Sequence, residues 1–351
     1  MAIDPSRQAA QDSDDEPDNQ VFATVTNGNH VDIDDSDAAS DTSSVLTEIQ
    51  PHEFEGYFDE RDGRLFHSHG GLPYPLPVDG PEQQRLNFQH DALCQLLNAN
   101  YVVPLAQILT PTPGMHRRVL DLCTGTGKWV MDMASEFTHV RFHGVDIVPI
   151  ATREPPANVH FEMADVNRLL RWHDNTMDFV HARSVSLAVV DYPAMLREVA
   201  RVLRPGGLFF SGEVGRYVKY APNSRLHTSA YAPGAGNFFR VINDRLARYR
   251  QLREITSDIP QWIHESGLFE DITVQEHFIP IGDWHEDPGM QSVGRTYKAA
   301  MEIFADSLKP MLRDVGMLEW ELEDVVGRFL NDMNTVRGMV SVYHTVWATK
   351  V

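Results

Sequence analysis

Three carboxylates sit at the ends of three successive apolar runs, Asp121 after Val119-Leu120, Asp146 after Gly144-Val145 and Asp165 after Met163-Ala164. Carboxylates accept hydrogen bonds from hydroxyls and amines and attract cations, so a set of them suits a donor-rich or positively charged ligand better than one that carries phosphates. The first acid opens the strongest local pattern, Asp121-Leu122-Cys123-Thr124-Gly125-Thr126-Gly127-Lys128-Trp129, an apolar strand running into a glycine turn and then a helix. Gly125 and Gly127 let the backbone turn sharply and pass close to a ligand, while the free N–H groups opening the helix face whatever lies above the strand end. A dinucleotide fingerprint fits poorly, because Val130 stands where its third glycine belongs. A phosphate-cradling loop needs Ser or Thr after the lysine, and Trp129 follows Lys128.

S-adenosyl-L-methionine carries a cationic sulfonium, an ammonium, a ribose diol and an adenine amine, so it offers donors where dinucleotides offer phosphates. Asp146, followed by Ile147, can accept both ribose hydroxyls, and Asp165 can accept from the adenine amine beside an apolar wall at Val166. No arginine directly follows any of the three acids. Cys123, Thr124, Gly125 and Gly127 would supply backbone along the cofactor. Arg183-Ser184, directly after the fourth apolar run, lie where cofactor and acceptor pockets should meet, although Arg183 could instead pair only with a nearby acid. Trp129 reads as packing rather than ligand. The catalytic residue is unknown from sequence; His90 is a weak candidate as base for an acceptor hydroxyl. Glu213, followed by a loop from Gly215 to about Gly236 with Tyr217 and Tyr220, is a candidate for shaping the acceptor pocket. His67, His69 and His90 could converge on a metal, but a His in an aromatic segment is more often a hydrogen-bonded structural group, so no metal is expected.

These residues must be positioned by an α/β domain. Short β-rich runs alternate with helical stretches at Val119–Cys123, Val140–Asp146, Val159–Met163, Met177–Ala182 and Leu208–Gly212, followed by Ile272–Ile279 and Val340–Ala348. That pattern predicts a parallel α/β sheet with crossovers on both faces. A helix is expected from Pro81 to about Ala99, a second near Val103–Leu109, and a third over Tyr192–Leu203, ended by Pro205-Gly206-Gly207. Leu318, Leu322, Val325, Val326, Phe329, Leu330 and Met333 form one apolar stripe, read as core or lid packing. Residues 52–80 mix aromatics, glycines and Pro73, Pro75 and Pro77, which suits an extended flap.

The chain has 50 acids against 30 bases, a formal net charge of −20. Residues 1–50 hold twelve of the acids and one base, Arg7, so they carry about half of that charge. With few large apolar groups they are expected to be a disordered acidic tail. Such a charge repels phosphate backbones, and no basic cluster is longer than Arg117-Arg118, so nucleic acid is not an expected partner. The 2 cysteines, Cys94 and Cys123, exclude a disulfide framework and a Cys-based zinc site. No stretch approaches a membrane span, and an intracellular setting, cytoplasmic or nuclear, is expected. The organisation is then a tail over 1–50, a flap with helices over 51–110, and a catalytic domain over 111–351 with insertions about 215–245 and 287–335.

As an ordered set, Asp121 through Gly127, Val145-Asp146, Asp165, Met177-Asp178-Phe179-Val180 and Leu203-Arg204-Pro205-Gly206-Gly207 resemble the motifs of class I S-adenosylmethionine-dependent methyltransferases. Cys123 departs from that pattern, where the first glycine is common. A narrower set is similar to the fungal LaeA-like methyltransferases: Ser43-Ser44-Val45-Leu46, Gly63-Arg64-Leu65-Phe66-His67, Leu76-Pro77-Val78-Asp79 with Glu82, Asn87-Phe88-Gln89-His90 and Val346-Trp347-Ala348-Thr349-Lys350. The resemblance implies a Rossmann-like seven-stranded class I methyltransferase sheet with helices on both faces and helical lid elements at both ends. It implies S-adenosyl-L-methionine as cofactor and a role in tailoring or controlling secondary metabolism. The acceptor would be a small molecule; a regulatory partner of the velvet type is the alternative, with the chain as a scaffold that binds cofactor but transfers little.

Overall fold

The computed structural model describes residues 23–24, 47–149, 155–222 and 231–351. Seven strands build the central sheet: β1 (Arg117–Leu122), β2 (Val140–Asp146), β3 (Val159–Met163), β4 (Met177–Arg183), β5 (Leu203–Val214), β6 (Phe269–Pro280) and β7 (Met339–Lys350). Their order across the sheet is β3-β2-β1-β4-β5-β7-β6. β1 to β5 are parallel, and β7 inserts antiparallel between β5 and β6. The parallel strands are covered on both faces, which is why they read as near-continuous apolar runs; β4 is buried from Met177 to Ala182. In register, Asp121 lies between Gly144 of β2 and His181 of β4. The strand order reverses beside β1, which opens a crevice above the carboxyl ends of these strands.

Helices α1 (Gly80–Leu97), α2 (Lys128–Glu136), α3 (Tyr192–Val202), α4 (Pro233–Arg250), α5 (Ile259–Ser266), α6 (Pro288–Ser307) and α7 (Glu319–Thr335) cover the sheet and roof its upper end. α1 starts where its sequence signals it should: Asp79 accepts from the Glu82 backbone N–H, Pro81 occupies the first turn, and Asn98 ends the helix in the left-handed region. α1 packs along α6, and α4 along α7. The α7 stripe meets α4 with Phe329 stacked on Phe238, ring centroids 4.1 Å apart. Among the described residues no helix is long and apolar enough to cross a membrane.

Several expectations need correction. The 1–50 segment is not uniformly without structure: Ala23–Thr24 pairs with β3, and Thr47–Glu48 pairs with Ala23–Thr24. The rest of that expectation lies outside the described residues. The flap begins with a 3-10 turn (Pro51–Tyr57) and a hairpin (Phe58–Arg61 with Arg64–His67) before becoming extended. The third predicted helix ends at Val202, because β5 begins at Leu203 and carries Pro205-Gly206-Gly207 within its own span. The segment after Gly215 is no simple loop: Lys219–Tyr220 pairs with the start of β7, and α4 starts at Pro233 and runs beyond the expected insertion to Arg250.

Phe142, on β2 between β1 and β3, is wholly buried in the core. Phe142→Ala should therefore lower unfolding stability by about 3–5 kcal/mol, read from urea titration; a loss below about 1 kcal/mol would contradict this placement of the core.

Candidate functional site

The glycine turn is held from below by Asp121. Its side chain accepts from His181 Nδ1 at 2.6 Å and from Thr124 Oγ1 at 2.5 Å, and the residue is 4% exposed. The His181 ring is sandwiched between Trp129, 3.7 Å away and tilted by 7°, and Phe210 at 5.2 Å. Burial lowers the His181 pKa, although Asp121 pulls it the other way, so a neutral imidazole donating to a carboxylate fits both observations. Trp129 is packing, as expected, and its Nε1 donates to the Asn100 carbonyl at 2.9 Å.

Above this support the backbone turns through left-handed positions at Cys123 (φ 54°), Gly125 (φ 59°) and Gly127 (φ 74°). Gly127 is required twice over: beyond its φ, a Cβ there would come within 2.6 Å of the Phe161 ring on β3. Cys123 adopts the strained region without that freedom.

Asp146 pins the turn to the tip of β2. Gly125 N–H donates to one of its oxygens at 2.8 Å, and Ile147 and Val148 N–H donate to the other at 2.8 and 3.4 Å. Burial pushes its carboxyl up to about 6 despite these bonds. Asp165 accepts from Asn167 N and Nδ2, both at 2.9 Å, which fixes the acid at the end of β3.

At the end of β4, Arg183 Nη2 donates to His90 Nδ1 at 2.9 Å, and His90 Nε2 lies 3.0 Å from Asp132 Oδ2. Burial, then the Arg183 charge, push His90 down to about 4. His90 is therefore neutral, with Nδ1 accepting from Arg183 and Nε2–H donating to Asp132. No lone pair remains for an acceptor's proton, so its expected role as base does not fit; it orients Arg183 instead. Arg183 Nε and Nη1 donate to no group among the described residues.

α1 forms the facing wall. Leu86 overlies the turn, with its side chain 3.2 Å from where a Gly125 Cβ would sit, and Thr126 Oγ1 donates to Asn87 Oδ1 at 2.9 Å. Gln89 donates to Ser184 Oγ at 2.8 Å, while Arg85 donates to Gln89 and Glu82. Ser307 of α6 donates to the other Glu82 oxygen at 2.8 Å.

Between these elements lies a cleft of about 1570 Å³ including its open mouth. Cys123, Gly125, Asp146, Ile147, Asp165, Val166, Arg183 and Ser184 form its floor, so the structure brings these predicted residues together. Asp121 and Thr124 line an adjoining smaller cavity with His90, and Gly127 lines neither. Glu213 also faces the main cleft; its carboxylate accepts from Val185 N at 2.7 Å, and burial pushes it up to about 7. Tyr217 and Tyr220 do not line the cleft: Tyr217 Oη bonds His344 at 2.5 Å, and Tyr220 packs edge-on against Tyr231. α7 does not reach the cleft either, so the roof from 287–335 is α6 alone, through Tyr297, Met301 and Phe304. His67 and His69 bond the carbonyls of Tyr74 and Ile147, and no group of three metal-ligating side chains occurs among the described residues.

Sequence reasoning missed Glu82, Arg85 and Gln89 on α1, His181 and the α6 aromatics. Glu82 and Gln89 stood in the motifs quoted above without a role, and Arg85 and Gln89 at i, i+4 spacing on one helix face were the local signal. The donor set fits an adenosylmethionine: carboxylates beside a glycine turn for hydroxyls and amines, and an arginine with open N–H groups for a carboxylate.

Residues 119–207 match the family model described as Methyltransferase domain. The chain is 30% identical over 269 residues to the secondary metabolism regulator laeA of Coprinopsis cinerea, covering 75% of this chain and 66% of that protein. It is 28% identical over 297 residues to methyltransferase pytC of Aspergillus terreus, covering 82% of this chain and 86% of that one. Among solved structures it is similar to Haemonchus contortus phosphoethanolamine N-methyltransferase 2 bound to S-adenosylhomocysteine, at 18% identity and a TM-score of 0.42, over 78% of this chain and 61% of that one. The sheet order and the acid-tipped glycine turn define a class I methyltransferase domain that takes S-adenosylmethionine. Within that class, the chain resembles the LaeA and pytC proteins.

His181→Phe keeps the aromatic stack but removes a donor from a buried carboxylate. The expected cost is about 1–3 kcal/mol of stability at neutral pH, measured by urea unfolding; a neutral outcome would show that Asp121 does not depend on it.

Proposed function

We propose that the protein methylates a small-molecule acceptor held in the cleft, as a step in fungal secondary metabolism carried out in the cytoplasm or nucleus. The observation that carries this reading is the Asp146 carboxylate, fixed by Gly125 N–H at the mouth of an aromatic cleft. When bound, S-adenosylmethionine supplies a methyl group on a cationic sulfur. Asp146 accepts from the ribose hydroxyls, Asp165 accepts from the adenine amine between Ile147 and Val166, and Arg183 donates to the methionine carboxylate. Cys123, Thr124, Gly125 and Gly127 let the backbone pass close to the ligand, and Asp121 keeps that turn in shape. Tyr74, Phe239 and the α6 aromatics exclude water and align the acceptor, which is most of what methyl transfer asks of a protein.

The chain spans 66% of the length of the Coprinopsis protein, which is named as a regulator. That supports a second reading, in which the chain binds cofactor and works through a velvet-type partner while transferring little. Purified protein incubated with methyl-labelled cofactor and fungal extract separates the two: label in a small-molecule fraction supports the enzyme, whereas cofactor binding with no transfer supports the scaffold.

Asp146→Ala should weaken S-adenosylhomocysteine binding by roughly ten- to a hundredfold, measured by calorimetry. Because the Asp146 carboxyl lies at about 6, it is ionised above that pH and protonated below it. Affinity should therefore fall roughly tenfold between pH 7.5 and 5, and Asp146→Asn should flatten that dependence. A wild-type affinity that rises toward pH 5 would contradict the assigned contact.

A further inference from the structure

Arg85 is a buried cation that the cofactor contacts leave unused. It stands one residue before Leu86, which overlies the glycine turn, and its guanidinium lies beside Phe304 of α6. Its side chain is 9% exposed, and Cζ lies 5.8 Å from the centroid of the Phe304 ring. Tyr74, Tyr297 and Met301 share the same part of the cleft. Nε donates to Glu82 at 2.6 Å and Nη1 to Gln89 at 2.7 Å, while Nη2 donates to no group among the described residues. Glu82 cannot swing to reach it, because Ser307 holds its second oxygen at 2.8 Å. Glu82 balances the charge, and Nη2 is the guanidinium edge left with donors to offer.

We propose that Arg85 binds the oxyanion of a planar, largely apolar acceptor, a carboxylate or an acidic enol, and that the protein methylates such acids on oxygen. The inference rests on the methyltransferase reading and names its substrate class. A carboxylate has two equivalent oxygens, and an acidic enol conjugated to a carbonyl shares its charge over two, so Arg85 holds one and the other attacks. A lone pair of that oxygen forms the O–CH₃ bond as the S–CH₃ bond breaks; the bonding pair stays on sulfur, leaving neutral S-adenosylhomocysteine thioether and an ester or enol ether. The acceptor is already ionised, so no base is required, in keeping with a His90 that has no lone pair to give. Flat rings of Tyr74, Tyr297 and Phe304 favour a flat, apolar body over a sugar or an aliphatic amine.

The test is calorimetry on full-length protein saturated with S-adenosylhomocysteine, using 2-naphthoate, 4-hydroxycoumarin and the neutral 2-naphthamide as probes. At least one anion should bind roughly ten- to a hundredfold more tightly than the amide; which one does so separates the carboxylate from the enol. Arg85→Gln should bring that affinity down to the amide's while leaving S-adenosylhomocysteine binding within about twofold, and Arg85→Lys should retain part of the preference. The wild-type comparison stands even if a variant fails to fold. Equal binding of anions and amide, or no binding of either anion, overturns the inference alone. Failure of wild-type protein to bind S-adenosylhomocysteine overturns the methyltransferase reading and this inference with it.

Discussion

Two hydrogen bonds hold the glycine turn of β1 over the tip of β2, one from Thr124 N–H to the Val145 carbonyl at 2.9 Å and one from Gly125 N–H to the Asp146 carboxylate at 2.8 Å. The left-handed residues Cys123, Gly125 and Gly127 end regular pairing with β2, so the carboxylate takes over where the strand ladder stops. From below, Asp121 bonds Thr124 of the same turn and His181 of the neighbouring strand, so two carboxylates clamp one loop from opposite sides. The clamp ties three adjacent strands together at their carboxyl ends. Any ligand above them meets a rigid floor whose acceptors are already oriented, and the ordering cost was met on folding rather than on binding.

Much of this floor was legible in the sequence, and for a clear reason. Parallel strands buried on both faces must be apolar throughout, so an acid such as Asp146 at the end of such a run stands out as a strand tip. The seven strands, the acids at three tips and the turn glycines all follow from that contrast. The acceptor wall did not follow, because it depends on which face of a helix turns inward. Glu82 meets Ser307 and Gln89 meets Ser184 across long stretches of chain, and no local period encodes those pairings. Tyr217 misled for the same reason: it stands a few residues from Glu213 in sequence, yet β7 captures its hydroxyl through His344.

His90 shows how context overrides residue type. An imidazole beside a cleft suggests a base, but the nearby Arg183 charge and burial both disfavour its protonated form. Its hydrogen bonds then settle its tautomer, and a ring that accepts from one neighbour and donates to another becomes a strut between Arg183 and Asp132.

The cleft is thereby divided by charge. Asp146, Asp165, Arg183 and Arg85 all line it; under the proposed function the acids serve the donor-rich nucleoside and each arginine serves one anionic group. The bound sulfonium lends both anionic groups a second positive neighbour. Before transfer that cation strengthens the hold on an anionic acceptor; after transfer the sulfur is neutral and the acceptor has lost its charge. On the proposed reaction the methylated acceptor, having lost its charge, binds less tightly than the acid it came from, so the arrangement favours its release without any moving part.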